Sequence, residues 1–356
     1  MDWRFFRSKT PAMLGVDISS SAVKLLELSK TLEGYRVESY AVEPFAREAI
    51  NESEIKDVEA IGKAIQIAVK RCRTRTQYGA IAVSGSGVIT KIIQMNAALS
   101  DHEMADQIAV EADRYIPYPL QEVNLDFQVL GISKKNPALV DVLLAASRSE
   151  NVDTRVEVLG LGGLTAKVID IEAFAIERAF SLLADQLPKE IANQTVALVD
   201  IGSNVSTFNV LHNRSIVHTR EQLFGGYQLT EEIQRRYGLS YEEAGLAKKQ
   251  GGLPEDYVST ILEPFKESVV QQVSRALQFF FSSSEYSEIH YLILAGGTTA
   301  IQGLGLFLEE RLKIPTMIAD PFVNMTLSPK VSVPAIKADA SSLLICCGLA
   351  MRSFVS

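Results

Sequence analysis

One pattern occurs twice in this chain, and it leaves few folds open. Leu14-Gly-Val-Asp-Ile-Ser-Ser-Ser-Ala-Val-Lys-Leu-Leu-Glu-Leu28 is echoed by Leu198-Val-Asp-Ile-Gly-Ser-Asn-Val-Ser-Thr-Phe-Asn-Val-Leu211. Each reads as an apolar strand ending in Asp, a tight turn of small polar residues, and a second strand with period-two alternation. Aligning Asp17 on Asp200 sets Ser19, Ser20 and Ser21 opposite Gly202, Ser203 and Asn204. Turns this small let backbone N–H groups approach a phosphate closely. An Asp at each strand end suits a hydrated divalent cation. Two such hairpins facing one another would clamp a nucleoside triphosphate between two halves of the molecule.

The 356 residues suffice for about two domains at roughly 100–200 residues each. A net charge of −8 argues against a general nucleic-acid binder, because phosphate contacts need a basic footprint. Cys72 and the adjacent Cys346 and Cys347 offer no CxxC spacing and are poor disulfide candidates, so a reducing compartment is expected. No apolar run approaches the ~18 residues of a spanning helix. Met1–Lys9 lacks the apolar core of a secretory signal and reads as a loosely packed terminus. The expected location is the cytoplasm.

Beyond the first hairpin, Arg36–Val42 is a third alternating strand, and Ile55–Arg71 carries a helical apolar stripe. The basic run Lys70–Arg75 complements that helix's macrodipole. Ala80–Ser84 and Val88–Gln94 are strands, the first buried. From about Ala97 the character changes: a helix capped by Ser100 or Asp101, an aromatic-proline segment Tyr115-Ile-Pro-Tyr-Pro119, strands Val123–Leu130 and Leu139–Ala145, and a helix Asn151–Leu159. This helix–strand–strand–helix module reads as an insertion.

A strand Ala166–Ile171 and a helix Glu172–Leu183 follow, the helix bearing Ala173, Ala175 and Ala179. Gly348 and Ala350 mark the last helix, Ser341–Phe354. Such small residues suit close helix crossings. After the second hairpin come Gly225-Gly226, a helix Leu229–Tyr237 capped near Thr230, a helix Tyr241–Gln250, and a long helix Ile261–Phe281. The strand Ile289–Leu294 then runs into Ala295-Gly-Gly-Thr-Thr-Ala300. A glycine-rich strand-to-helix turn is a natural nucleotide contact. Gly303-Leu-Gly305 closes the first turns of the helix after it, and Ile314–Ala319 is the next strand.

No G-x-x-x-x-G-K-[ST] loop and no strand-following G-x-G-x-x-G occur, which removes P-loop NTPases and Rossmann dinucleotide enzymes. His102, His212, His218 and His290 are scattered without metal-ligand spacing. The remaining constellation, taken in order, resembles the superfamily of actin, sugar kinases and heat-shock chaperone ATPases. That resemblance implies an α/β, actin-like duplicated ATPase fold of two βββαβα-type domains, clamping ATP and Mg²⁺.

Carried over residue by residue, Asp17 and Asp200 would hold the metal through water. Ser19, Ser20, Ser21, Gly202, Ser203 and Asn204 would cradle phosphates. Lys24, seven residues after Asp17, matches a phosphate-contacting lysine; a solvent-facing strand position is its competing reading. Glu172 matches a water-orienting residue, or simply complements a helix dipole. Gly225, Gly226, Gly296, Gly297 and Thr298 would surround purine and ribose. Two departures stand out. Ser19 replaces a glycine, and Ala244 is followed by Gly245 where relatives often read Ala-Glu-x-x-Lys, leaving Glu243 or Lys248 as substitutes.

Within the superfamily, Arg114–Phe127, Asp17–Lys24 and Gly348–Arg352 closely resemble the PilM family. These are cytoplasmic actin-like proteins of bacterial type IV pilus assembly, similar to FtsA, with a small α/β subdomain inserted in the first domain. The resemblance implies subdomains at 13–95 with 160–190 and 336–356, an insertion at 96–159, a second-half core at 194–230 with 285–335, and its companion at 231–284. It also implies a groove for the cytoplasmic N-terminal segment of PilN, near Tyr115, Pro117 and Tyr118, other pilus platform partners, and membrane contact only through partners. A homo-oligomer stays open. The alternatives are an actin-family enzyme, whether a sugar-kinase-like phosphotransferase or an active ATPase, and an FtsA-like filament former.

Overall fold

The computed structural model describes residues 12–51 and 54–354; the segment Met1–Lys9 lies outside them. β1 (Met13–Ile18), β2 (Ala22–Thr31) and β3 (Gly34–Pro44) form an antiparallel meander. Its central strands are buried on both faces, which is why they read as nearly continuous apolar runs. α1 (Val58–Cys72) is capped by Asp57, whose carboxylate accepts from the Ala60 N–H at 2.8 Å. Within the basic run that ends it, Arg71 pairs with Glu43 at 2.6 Å. β4 (Tyr78–Val83) then lies parallel beside β1.

A separate three-stranded sheet is formed by β5 (Val88–Asn96), β6 (Val123–Ile132) and β7 (Leu139–Arg148), in the order β5-β7-β6. α2 (Asp101–Glu111), closed at its start by a Ser100–Glu103 capping box, covers it with Met104 and Ile108. Two expected boundaries move. β5 pairs with β7 rather than with the first sheet, so the small sheet takes in residues before 96. α3 (Ser149–Leu161) buries Val158 and Leu159 against α1 and the first sheet instead of against the insertion.

β8 (Thr165–Ile171) pairs with β4 at one edge of the first sheet and leads into α4 (Glu172–Ala184). The second half repeats the plan. β9 (Val196–Ile201), β10 (Ser206–His212) and β11 (Ser215–Gln222) are antiparallel; α5 (Gly226–Tyr237), α6 (Tyr241–Gln250) and α7 (Glu263–Ser283) follow. α5 is capped at Gly225, five residues before the expected Thr230 cap. β12 (Tyr291–Ala295) and β13 (Thr316–Ile318) are parallel to β9, with α8 (Leu304–Leu312) between them. Gly303 begins α8 in the left-handed region at φ 74° rather than ending a helix.

The two large sheets run β8-β4-β1-β2-β3 and β13-β12-β9-β10-β11. Meander and parallel strands therefore occupy identical places, and the duplication seen in two hairpins extends to whole sheets. One exchange crosses between halves. β14 (Thr326–Leu327) joins the edge of the first sheet beside β3, and Phe322 and Val331 pack in that half's core, although residues up to 335 were expected in the second. The stretch 231–284 likewise shares one apolar core with the second sheet.

α9 (Val333–Asp339) and α10 (Leu344–Ala350) close the chain. α10 and α4 lie between the sheets: Cys346, Cys347 and Ala350 face Leu26 and Leu28, whereas Ile176, Ala179, Phe180 and Leu183 face Val196, Leu198 and Ile293. The layers thus run α1/α3, first sheet, α4/α10, second sheet, α5/α7/α8. Val333–Phe354 is long and apolar enough to cross a membrane by length and composition, contrary to the sequence expectation. Its apolar residues are the ones packed between these layers.

Candidate functional site

The edges of the two meanders meet. Asp17 and Asp200 stand at equivalent ends of β1 and β9, and the turns that follow them touch: the Asn204 N–H donates to Ser20 Oγ at 3.3 Å. Hairpin register explains the partners. Asp17 is opposite Lys24 and Asp200 opposite Thr207, so the seven-residue spacing that singled out Lys24 is a cross-strand pair. Lys24 Nζ reaches Asp17 Oδ2 at 2.9 Å, with Asp17 buried and the Lys24 side chain only 12% exposed. This excludes the solvent-facing reading. Burial works against the ammonium charge, but Asp17 and Asp200 outweigh it and raise the Lys24 pKa. Lys24 is therefore paired with Asp17 of its own half and feels the charge of Asp200 from the other.

Each turn is locally closed. The Ser19 N–H and Oγ both donate to the Ala22 carbonyl, at 3.0 and 2.9 Å, so the serine that replaces a glycine is absorbed by its own turn. In the second turn the Gly202 N–H donates to Val205 O at 3.0 Å. The start of α5 supports it from behind: Gly226 N–H donates to Gly202 O and Tyr227 N–H to Ser203 O, at 3.0 and 2.9 Å. A Cβ on Gly225 would lie 2.3 Å from Ser203 O, so the close approach requires glycine there.

Glu172, first residue of α4, is half-buried near the same carboxylates. Burial, reinforced chiefly by Asp17 and Glu221, pushes its pKa up to about 8. Asp200 is pushed up to about 6, again by burial first, with Lys24 opposing. Arg155 from α3 offers Glu172 a compensating charge. Its guanidinium is anchored by Nε to Ala82 O at 2.6 Å and Nη1 to Asn151 O at 2.9 Å. Sequence reading missed Arg155 and Glu221, because they arrive from a helix and a strand with no local pattern linking them to Glu172.

The Gly296 turn closes the other side. At φ 90° only glycine sits easily, and a Cβ would fall 2.5 Å from Asp200 Oδ1. Thr298 Oγ1 donates to Gly202 O at 2.8 Å. It would also be 2.7 Å from a Cβ on Gly226. Gly202, Gly225, Gly226, Gly296, Gly297 and Thr298 are thus one neighbourhood. Lys248 joins it from α6, donating to Gly226 O at 3.1 Å and Thr230 Oγ1 at 2.7 Å, and its burial lowers its pKa to about 8. Glu243 does not join it. That exposed side chain caps its own helix by accepting from the Ser240 N–H at 2.8 Å, so of the two substitutes Lys248 alone reaches the site.

A cavity of about 500 Å³, sharing Arg155 and Glu221 with the surroundings of Glu172, lies where the small sheet, α3, the 84–89 turn and the second half meet. Tyr118, Arg148, Asn151, Thr154 and Arg155 line one side, and Val205 and Glu221–Leu223 the other. Arg148 lies over the Tyr118 ring, 4.4 Å from its centroid. Of the three aromatic-proline candidates, Tyr118 alone borders this cavity. Tyr115 packs into the small sheet's cores under Lys91, and Pro117 is exposed.

The family described as Type IV pilus assembly protein PilM matches residues 15–354. The chain belongs to that family. A solved PilM–PilN type IV pilus biogenesis complex is 26% identical, covers 98% of this chain and 100% of its own, and superposes with a TM-score of 0.79. The ethanolamine utilization protein EutJ from Carboxydothermus hydrogenoformans is 14% identical over 95% of this chain and 89% of its own, at TM-score 0.59. A nucleotide-free diol dehydratase-reactivating factor is 10% identical over 96% and 99%, at 0.55. These last two are likenesses of fold. The actin-like α/β architecture expected from the hairpins is the fold of this PilM family member.

Proposed function

We propose that this chain is an ATP-binding adaptor of the pilus machine: it binds ATP with Mg²⁺ in the cleft between its halves and the cytoplasmic N-terminal segment of PilN in the cavity beside the small sheet. What carries the nucleotide reading is the apposition of two Asp-bearing turns, joined by Asn204 and Ser20 and sharing Lys24. The glycines at 225, 226 and 296 stand where side chains would collide with the turns, which suits a close backbone cradle.

Among the described residues no group of three or more His, Cys, Asp or Glu could hold a metal. Mg²⁺ keeps several waters and takes its remaining ligands from carboxylates and phosphates, a donor set that Asp17 and Asp200 fit. Bound there, it would neutralise phosphate charge. The chain's own part is to bind and orient: Lys24 offsets the two carboxylates, the turns present N–H groups, and Lys248 with Thr298 borders the purine and ribose side. Glu172, whose pKa burial pushes up to about 8, stands at the head of α4 beside these carboxylates, where it can orient a water.

PilN is the partner in the related complex. The cavity's aromatic and guanidinium lining suits an extended segment with apolar side chains and backbone carbonyls. A membrane partner of this kind would hold the protein at the cytoplasmic face of the inner membrane.

Calorimetry on the full chain tests both parts. Mg-ATP is expected to bind, and Asp200→Asn to weaken it by about tenfold or more, a loss of roughly 1.4 kcal/mol. The PilN N-terminal peptide is expected to bind the wild type and Asp200→Asn alike at saturating peptide. Absence of heat with Mg-ATP sinks the nucleotide reading, and absence of heat with the peptide sinks the adaptor reading.

A further inference from the structure

The mouth of the cleft carries a contact that the phosphate turns do not require. Arg47 sits in the 3-10 turn Arg47–Ala49 that follows β3, and its Nη1 donates to the Tyr227 hydroxyl. The guanidinium carbon lies 3.5 Å from the centroid of the Tyr227 ring. Tyr227 belongs to the other half, and Tyr241 of α6 backs its ring at 5.8 Å. Glu231 shares the Tyr227 hydroxyl. Arg47 is exposed and Tyr227 only half-buried, so neither is needed to fill a core.

Both ends of this contact are fastened to the turns. Two residues before Arg47, the Phe45 N–H donates to Ser21 O at 3.4 Å; the Tyr227 N–H donates to Ser203 O at 2.9 Å. Parting Arg47 from Tyr227 therefore pulls on Ser21 and Ser203, one on each side of the cleft. The only other bond between the turns is the long one from Asn204 to Ser20 among the described contacts.

We propose that Arg47 and Tyr227 form a latch across the cleft mouth, and that its opening sets how fast nucleotide leaves. The second clause rests on the nucleotide-binding reading above. A guanidinium stacked and hydrogen-bonded to tyrosine is directional, yet at an exposed site it contributes little energy. That suits a fastening that must open at each exchange. A buried ion pair in the same place would hold the halves together permanently.

Two measurements on the full chain separate the latch from the nucleotide reading. The first is stopped-flow displacement of a fluorescent ATP analogue. Arg47→Ala and Tyr227→Ala are each expected to raise the dissociation rate roughly two- to fivefold, and the double variant no further than the faster single. Arg47→Lys should resemble Arg47→Ala, because an ammonium lacks the planar face. Additive effects in the double variant, or unchanged rates, would overturn the latch as a gate.

The second is the distance between spin labels at Glu59→Cys on α1 and Gln250→Cys on α6, both exposed, measured without nucleotide; the native Cys72, Cys346 and Cys347 are buried. Arg47→Ala should broaden the distribution toward longer distances. An unchanged distribution overturns the latch whatever the nucleotide does. A wild type that fails to bind the analogue, with a distribution that broadens, overturns the nucleotide reading and leaves the latch standing.

Discussion

Lys24 shows how much a single residue can reveal at each level. In the sequence its place seven residues after Asp17 marks it as a candidate, and hairpin register turns that spacing into a buried ion pair. Removing one member of such a pair strands the other charge out of water. Lys24→Ala is therefore expected to lower stability by about 3–5 kcal/mol in urea unfolding, and the Asp17→Asn/Lys24→Met double to recover much of that. A single variant with wild-type stability would disprove the pairing's role. Glu172 makes a second residue-scale prediction. Its carboxyl titrates near 4.5 when unfolded and is pushed up to about 8 by burial first and Asp17 next. The folded chain then holds the extra proton between those values, so this stability contribution is complete below about pH 4.5 and lost as pH rises to about 8. Asp200 adds a similar slope that ends near pH 6. Above that, unfolding midpoints of the wild type should fall with pH more steeply than those of Glu172→Gln; parallel slopes would refute the assignment. Glu172 itself was visible as a helix-start acid, but its neighbours Arg155 and Glu221 were not, since only folding sets three distant elements around it.

At the scale of elements, the crossing of α4 and α10 holds the two sheets at their distance. A Cβ on Gly348 would come 1.8 Å from the Ala175 carbonyl, and one on Gly15 of β1 would come 2.2 Å from Cys346 O. Arg178 adds a clamp, donating through Nε to Gly348 O at 2.9 Å while pairing with Asp170. Gly348→Ala must drive the helices apart, so it should cost about 1–3 kcal/mol or more by overpacking. Chemical denaturation measures this directly, and a neutral result would show that the crossing relaxes freely. The small residues at Ala175, Ala179, Gly348 and Ala350 were legible as crossing points. What they cross was not. Gly15 gave no sign, because the backbone that excludes its Cβ lies more than three hundred residues away in the chain.

Across the whole molecule, the cavity beside the small sheet draws its lining from both halves, with Tyr118 and Arg148 on one side and Val205 and Leu223 on the other. Tyr118→Ala removes an aromatic wall and the surface on which Arg148 stacks. It is expected to weaken the PilN peptide by about tenfold or more, in the range of an interface hot spot, while Mg-ATP affinity stays at wild type in the same calorimeter. Equal loss of both would mean that the variant has damaged the fold instead. A separate module was legible from the change in pattern near Ala97, and the structure gives that region a sheet of its own, yet its edges were not. β5 and α3 each read locally as a good element, and only pairing and packing assign β5 to the small sheet and α3 to the large one. By itself the sequence determined the duplicated meander, the two aspartates and the glycines around them, because strand alternation and turn chemistry are local and repeat at fixed spacing. The tertiary structure alone decided which charges share one buried space, which half β14 joins, and where Arg47 meets Tyr227. Those contacts join residues far apart in the chain, and they form only after both sheets have closed on the helices between them.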